Sequence, residues 1–125
     1  MVTRKDLSPG YQVAQTAHAV AEFAISHPEL FEKWYRTSQY VVALESKTLE
    51  HLSELHKKGK ELNIPVAGFH EPDLDNQLTA VAFAPSEHTA KLLTQLPLAS
   101  RTAQHDAPKK STSQVKPASK NIQTA

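Results

Sequence analysis

Two groups of polar side chains have residue types and spacings that could do chemistry. The first group lies in one predicted helix at intervals of four, three and four residues: Tyr11, Gln15, His18 and Glu22. Residues at these intervals share one side of a helix. The second group places three carboxylates within five residues: Glu71, Asp73 and Asp75. A carboxylate beside others and near an apolar strand can have a raised pKa and take a proton from water. The same sequence is also typical of a turn, because Pro-Asp and Asp-Asn pairs favour turns.

The sequence gives little support for a metal site or a nucleophile motif. His18 and Glu22 have helical spacing for a metal, but a stable zinc site needs a third and usually a fourth ligand, and no HExxH motif supplies them. His18 is more simply a hydrogen-bonded helix histidine. The sequence also has no GxSxG elbow, P-loop, GxGxxG motif or cysteine. We therefore expect no metal and no cofactor.

Net charge divides the chain into two parts. Residues 101–125 hold five Lys or Arg and one Asp, a charge of +4, which leaves nine cations and twelve carboxylates, or −3, for residues 1–100. The basic part contains only Val115 and Ile122 as aliphatic residues larger than Ala. Such a segment buries too little apolar surface to offset the entropy of ordering, so we predict a disordered tail over 99–125. It is either a solubilising extension or a cationic arm that raises affinity for phosphate.

Length and hydropathy predict one cytoplasmic domain. The 125 residues allow a single domain with a real core, which we place at 1–98. No apolar run approaches the roughly 18 residues of a membrane span, and the first ten residues lack the apolar core of a signal peptide. We therefore expect no contact with membranes.

Alternating strand and helix patterns position the polar groups. Strands are predicted at Val2–Lys5, Tyr40–Leu44, Ile64–His70 and Leu78–Ala84. Helices are predicted from Tyr11 to the break at 26–28, from Glu29 to about Thr37, over Lys47–Leu62 with Ser46 as N-cap, and from Pro85-Ser86 to about Leu96. The order βααβαββα predicts an α/β fold, a three-layer α/β sandwich around a mixed four-stranded sheet. Ligands of such sheets bind beyond the carboxyl ends of the parallel strands, where the loops Asp6–Gly10 and His70–Gln77 lie.

Two helix faces carry further expectations. The first helix has apolar residues at helical spacing, and we expect this flat, alanine-rich face to pack on the sheet: Val13, Ala14, Ala17, Val20, Ala21, Ala24 and Ile25. The second helix carries Phe31, Trp34 and Tyr35. If the sheet leaves this aromatic surface uncovered, it is a candidate homodimer interface.

Several segments together resemble the type II peptidyl-tRNA hydrolase family. The run from Val2 to Leu7, then Gly10, then Val13 to Ala19, is similar to its R-x-D-L strand end, glycine turn and A-A-Q-x-x-H-A helix start. Glu71-Pro72-Asp73 and Leu78-Thr79-Ala80-Val81-Ala82 resemble its acidic loop and last strand. The predicted element order also resembles that fold, and the match covers roughly residues 1–98.

The resemblance implies hydrolysis of the ester between a peptide and the 3′ ribose of tRNA, with peptidyl-tRNA as partner. The catalytic residues that it implies are Asp73, Gln15, Thr79 and His18. In this reading Asp73 orients or deprotonates water, and Gln15 or Thr79 donates hydrogen bonds to the oxyanion. The residues expected to bind substrate are Tyr11, Arg4, Lys5 and Glu71.

This chain departs from the family pattern at two places. Tyr11 replaces the lysine that follows the family's glycine, and the R-T-Q part of the loop is shortened to Asp75-Asn76-Gln77. Cations that bind tRNA are then expected in one local patch: Arg4, Lys5, Lys33 and Arg36. The alternative is that these four residues are ordinary solvated surface. The alternative function is a catalytically silent RNA- or protein-binding module on the same fold. A third is a small-ligand domain with no RNA role.

Overall fold

The fold has the predicted element order. The computed structural model describes residues 1–100. Of the tail predicted at 99–125, only Ala99 and Ser100 are described, and both make hydrogen bonds to the domain; residues 101–125 lie outside the described residues. The elements are β1 (Val2–Arg4), α1 (Pro9–Ser26), α2 (Pro28–Arg36), β2 (Leu44–Ser46), α3 (Leu49–Glu61), β3 (Val66–Glu71), a 3-10 turn (Pro72–Leu74), β4 (Gln77–Phe83) and α4 (Glu87–Leu92). Within residues 1–100, no helix combines the length and the hydropathy that crossing a membrane would need.

The four strands form the mixed sheet that the element order predicts. Their order across the sheet is β2-β1-β4-β3, with β1 parallel to β2 and β4 antiparallel to both β1 and β3. Strands β1, β2 and β3 therefore run in the same direction and end on one side. We call this side the carboxyl edge and define it by three segments: residues 4–6, 45–47 and 71–77.

Helices cover both faces of the sheet and give the predicted three layers. On one face α3 and α4 pack on the sheet around the fully buried Leu52 and Val81, with Leu93 beside them. On the other face α1 packs through Ala19 and Phe23 on small residues of β3 and β4: Ala67, Ala80 and Ala82. Because these alanines are short, the backbone of α1 lies close to the sheet.

The predicted packing face of α1 is wrong. Val13 and Ile25, which the spacing assigned to the sheet, are 67% and 78% exposed. The buried residues are Gln12, Gln15, Ala19 and Phe23. Hydrophobic spacing predicts the wrong buried face because both glutamines have hydrogen-bond partners inside the protein. A side-chain amide whose hydrogen bonds are made can be buried with little loss of free energy.

The predicted bounds of β2 and α3 also need correction. Strand β2 begins at Leu44, where the predicted strand ended, because Leu44 is the residue that pairs with Val2. Tyr40 instead lies 62% exposed before the sheet. The hydroxyl of Ser46 donates to the backbone of Thr3, and Thr48 caps α3. Strands β3 and β4 are shifted by one or two residues from prediction, and α4 ends earlier than expected.

Candidate active site

A buried hydrogen-bonded network joins α1 to β3 and β4 at one end of the carboxyl edge. The Gln15 Nε2–H donates to Glu71 Oε1 at 2.9 Å, and the Thr79 hydroxyl donates to Gln15 Oε1 at 2.6 Å. Gln15 is 1% exposed and Thr79 is fully buried. Gln15 therefore has one orientation, in which its oxygen faces Thr79 and its nitrogen faces Glu71.

A β-bulge aims the Thr79 hydroxyl at Gln15. Phe69 pairs with Ala80 and His70 pairs with Leu78, so Thr79 is an extra residue in β4. A bulge of this kind turns a side chain out of the regular alternation. The Thr3 hydroxyl donates to the Thr79 carbonyl at 3.0 Å and fixes the bulge from β1. Nothing in the sequence pattern indicated this irregularity.

Glu71 is held in its charged form. Its Oε2 accepts the backbone N–H of Asp73 at 3.0 Å, and its Oε1 accepts from Gln15. These two hydrogen bonds, in that order, lower the pKa of Glu71, and the charge of His18 lowers it further against the opposing effect of burial. Crowded carboxylates allow a raised pKa in this loop, but the pKa of Glu71 is shifted in the opposite direction.

His18 and Tyr11 lie at the rim of the network. The exposed His18 ring packs against Phe69 with ring centroids 4.4 Å apart. Desolvation raises the pKa of Tyr11, and the negative charges of Glu71 and Asp73 raise it further. Within residues 1–100, no three His, Asp or Glu side chains are grouped closely enough to hold a metal ion.

Asp73 lies outside the network that contains Glu71. It is exposed within the 3-10 turn, and its hydrogen bond to Glu71 comes from its backbone. Asp75 and Asn76 have φ of 53° and 59°, and the Asn76 N–H donates to the Glu71 carbonyl. The turn interpretation of this loop is thus confirmed. The sequence does contain one signal for Glu71. Because Pro72 follows it, Glu71 is restricted to extended backbone and therefore continues the strand that contains Phe69.

Arg4 holds the carboxyl edge together. Its guanidinium makes a bidentate pair with Asp6, at 3.0 and 2.7 Å, and donates to the Gln77 side chain and the Leu78 carbonyl. Arg4 is only 6% exposed, and the same pair lowers the pKa of Asp6. This geometry favours a positioning role over the substrate contact expected from sequence. Lys5, by contrast, is exposed at the same edge.

The other two cations of the predicted patch lie at the opposite end of the sheet. His27, which precedes α2, contacts the carbonyl of Val66 at the start of β3. Arg36 on α2 pairs with Glu32 at 2.8 Å. Lys33 lines an apolar cavity of about 570 Å³ at this end, together with aromatic residues of three elements: Phe23, Phe31, Trp34 and Phe83. The four predicted cations therefore do not form one patch.

Fold and site together define an α/β protein whose polar centre lies beyond the carboxyl ends of parallel strands. Comparison with known families is consistent with this class: the family model for "Peptidyl-tRNA hydrolase PTH2" matches residues 1–99. The chain belongs to the PTH2 peptidyl-tRNA hydrolase family. It is similar to a "Peptidyl-tRNA hydrolase" of Nanoarchaeum equitans (strain Kin4-M), 38% identical over 72 residues. That alignment covers 54% of this chain and 63% of the relative, slightly under two thirds of its length.

Proposed function

We propose that this protein hydrolyses the ester between a peptide and the 3′ ribose of tRNA and so releases tRNA for reuse. The observation that carries the proposal is the buried Gln15–Glu71–Thr79 network beneath His18 in a chain of the PTH2 family. The name of the relative points to the same reaction. Family membership favours this reaction over a catalytically silent RNA- or protein-binding module.

His18 is the group best placed to accept a proton from water. It is exposed, and it lies close enough to Glu71 for its charge to lower the pKa of that carboxyl. An ionised carboxylate beside an imidazole stabilises the imidazolium that forms when a proton is taken. Water then adds to the ester carbonyl carbon, the bond to the ribose oxygen breaks, and the proton passes to that oxygen.

The remaining residues divide into positioning and contact roles. The Thr79 hydroxyl is committed to Gln15, and both side chains are buried, so they hold Glu71 rather than donate to an oxyanion. Tyr11 is half-buried and Asp73 is exposed at the rim, where they contact the ribose or base of the tRNA end. We therefore take Glu71, rather than Asp73, as the functional carboxylate: Glu71 stabilises protonated His18, and His18 takes the proton from water.

Two matched substitutions test this assignment. We expect Glu71→Gln to lower kcat for an N-blocked aminoacyl-tRNA by about 100-fold, because a general base contributes about 10²–10⁴-fold and the neutral amide no longer stabilises the imidazolium of His18. Asp73→Asn removes an equal charge two residues away and leaves kcat within about threefold, since the Asp73 backbone N–H still binds Glu71. Circular dichroism checks that both variants fold.

The opposite order would refute the assignment and restore Asp73 as the functional carboxylate. A wild-type protein that releases no tRNA would refute the hydrolase itself. In that case, retained binding of tRNA would indicate the silent RNA-binding module, and no salt-sensitive binding would indicate a domain without an RNA role.

A further inference from the structure

The two outer strands of the sheet differ in how their outer sides are covered. The outer side of β2 pairs with residues 97–99, and the Glu45 N–H donates to the Pro97 carbonyl there. Strand β3 is the other outer strand, and within residues 1–100 no strand pairs with its outer side. An outer strand presents backbone N–H and C=O groups to which an extended chain can pair. We call the outer side of residues 66–70 the β3 flank.

Alternate residues of β3 direct their backbone groups to this flank. In an antiparallel pair, residues that exchange both N–H···O=C bonds with the partner strand alternate with residues that exchange none. Three odd-numbered carbonyls of this segment accept hydrogen bonds from β4 or the residues beside it: Pro65 from the Ala84 N–H, Phe69 from the Thr79 hydroxyl, and Glu71 from the Asn76 N–H. The bulge adds its extra residue to β4, so the alternation in β3 continues through it. The backbone groups of Val66, Gly68 and His70 therefore point outward.

Gly68 and His70 have outward groups that a partner can use. The Val66 carbonyl contacts His27 Nε2 at 3.1 Å, which closes the flank at the start of β3. Within residues 1–100, no other element makes a backbone hydrogen bond to the outward groups of Gly68 and His70. Gly68 is partly exposed and His70 is exposed. The free part of the flank therefore holds two N–H and two C=O groups over roughly 7 Å of strand.

The β3 flank ends at the candidate active site. Glu71 is the last residue of β3, directly after His70, and it accepts the hydrogen bond from Gln15. His18 packs on Phe69, the residue between the two that point outward. A chain attached to an ester at His18 is therefore brought beside the free groups of the flank.

We infer that the β3 flank binds the peptide part of the substrate as an added strand. The inference rests on the proposed function and deepens it by naming the surface that holds the peptide. The ester is at the C-terminal end of the peptide, and the candidate active site is at the C-terminal end of β3, so the two chains run parallel. In a parallel pair, Gly68 and His70 make up to four hydrogen bonds with about four peptide residues. These bonds use only backbone groups, so peptides of many sequences fit.

The short length of the free flank favours a substrate over a second copy of this chain. Stable protein interfaces bury roughly 1,200–2,000 Å². Two residues of free strand supply only a small part of such an area. A substrate that is already held at its ester needs no more than these few hydrogen bonds, because its peptide is confined beside the flank.

Substrates that differ in peptide length test the inference. N-acetyl-alanyl-tRNA carries one residue, and N-acetyl-tetraalanyl-tRNA carries enough chain to pair with Gly68 and His70. Since the RNA is the same, its contribution to binding cancels. We expect kcat/KM to be about 10- to 100-fold higher for the longer substrate, which is the gain that about two net hydrogen bonds give. Equal values for the two substrates would overturn the inference.

Methylation of single peptide nitrogens is the matched control on the substrate side. In an added strand, the N–H groups of neighbouring residues point to opposite sides, so only one of two neighbours bonds to β3. We therefore expect tetraalanyl substrates methylated at the second or at the third residue from the ester to differ in kcat/KM by about fivefold or more. Equal losses for both would contradict the added strand.

His70→Pro and His70→Ala make the matched pair on the protein side. Proline removes the outward N–H and is tolerated in an outer strand where that group faces solvent, whereas alanine removes only the ring. The ratio of kcat/KM between the tetraalanyl and one-residue substrates should fall about fivefold or more in His70→Pro and stay near the wild-type ratio in His70→Ala. Equal ratios in the two variants would refute the inference. If circular dichroism shows that His70→Pro does not fold, the methylated substrates decide with wild-type protein.

Amide hydrogen exchange separates this inference from the proposed function. The probe is N-acetyl-tetraalanyl-3′-amino-3′-deoxyadenosine, in which an amide replaces the ester. It should slow exchange of the Gly68 and His70 amides by about tenfold or more, while the Ala67 and Phe69 amides are protected with or without it. No change at Gly68 and His70 would overturn the inference, and protection that rises with protein concentration alone would assign the flank to a second copy. A wild-type protein that cleaves neither tRNA substrate would refute the proposed hydrolysis, while the probe would still report on the flank.

Discussion

Replacing Thr79 by Val tests whether its hydroxyl holds the candidate active site together. Val keeps the β-branched shape but removes the hydroxyl that donates a hydrogen bond to Gln15 Oε1 at 2.6 Å. Because Gln15 is 1% exposed, its oxygen is left buried without that partner. An unsatisfied buried acceptor costs about 1–3 kcal/mol of unfolding free energy. For a domain of this size, such a loss lowers Tm by roughly 5–20 °C.

The same substitution should also slow hydrolysis. Without Thr79, the Gln15 amide is free to rotate, and its hydrogen bond to Glu71 is no longer fixed. We expect kcat for an N-blocked aminoacyl-tRNA to fall about tenfold with little change in KM, since Thr79 is buried away from substrate. Thr79→Ser retains the hydroxyl, so it should recover most of the lost kcat although it removes a methyl group.

Thr16→Val is the matched control. The Thr16 hydroxyl donates to the carbonyl of Val13 within the same helix, at 2.9 Å. Its loss should change the unfolding free energy by no more than about 0.5 kcal/mol. Urea unfolding followed by far-UV circular dichroism compares the variants. Equal midpoints for Thr79→Val and Thr16→Val, or a Thr79→Ser protein as slow as Thr79→Val, would refute the reasoning.

Two further measurements test the charge of Glu71 and the packing of α3. The pKa of Glu71 in the folded protein lies below its ordinary value of 4.5. The contribution of its charge to the free energy of unfolding is therefore fully present above about pH 4.5 and is lost as pH falls through the lower, folded-state pKa. The stability advantage of wild type over Glu71→Gln should therefore shrink on acidification from about pH 6 to pH 3, and a constant difference in urea unfolding would contradict this. A Cβ on Gly59 would lie 2.9 Å from the Phe83 ring, whereas one on Gly10 meets nothing within 4 Å. Gly59→Ala should lower Tm through overpacking, and Gly10→Ala should add about 0.5–1 kcal/mol; a Gly59→Ala protein stabilised like Gly10→Ala would rule this out.

Element order and topology could be predicted because they depend on patterns that the chain displays locally. Breakers near Pro9 and Pro28 and the apolar run at Leu78–Ala84 separate strands from helices, and the order of elements then restricts the sheet. The sidedness of α1 could not be predicted in this way. Gln12 and Gln15 are buried because partners distant in sequence satisfy them, and a hydrophobic pattern contains no information on those partners.

The sequence names residues of the candidate site but does not predict their arrangement. The motif identified Gln15, His18 and Thr79, and the structure brings Gln15 and Thr79 into direct contact. The choice between Glu71 and Asp73 depended on which carboxylate ends β3 and which lies in the turn. That difference is set by a bulge and a 3-10 turn that span only a few residues. Sequence patterns locate such features poorly because one residue of shift reverses the direction of each side chain.

The ionisation of Glu71 bears on the replacement of the family lysine by Tyr11. Because the charges of Glu71 and Asp73 act on the side chain at position 11, the charge of a lysine there would help to keep Glu71 ionised. In this chain, hydrogen bonds from the Asp73 amide and Gln15 are the largest causes of the low pKa of Glu71, and both donors are uncharged. The carboxylate therefore stays charged at neutral pH without a neighbouring lysine. The absence of that lysine therefore leaves the charge of Glu71 intact and removes one cation that could pair with a phosphate.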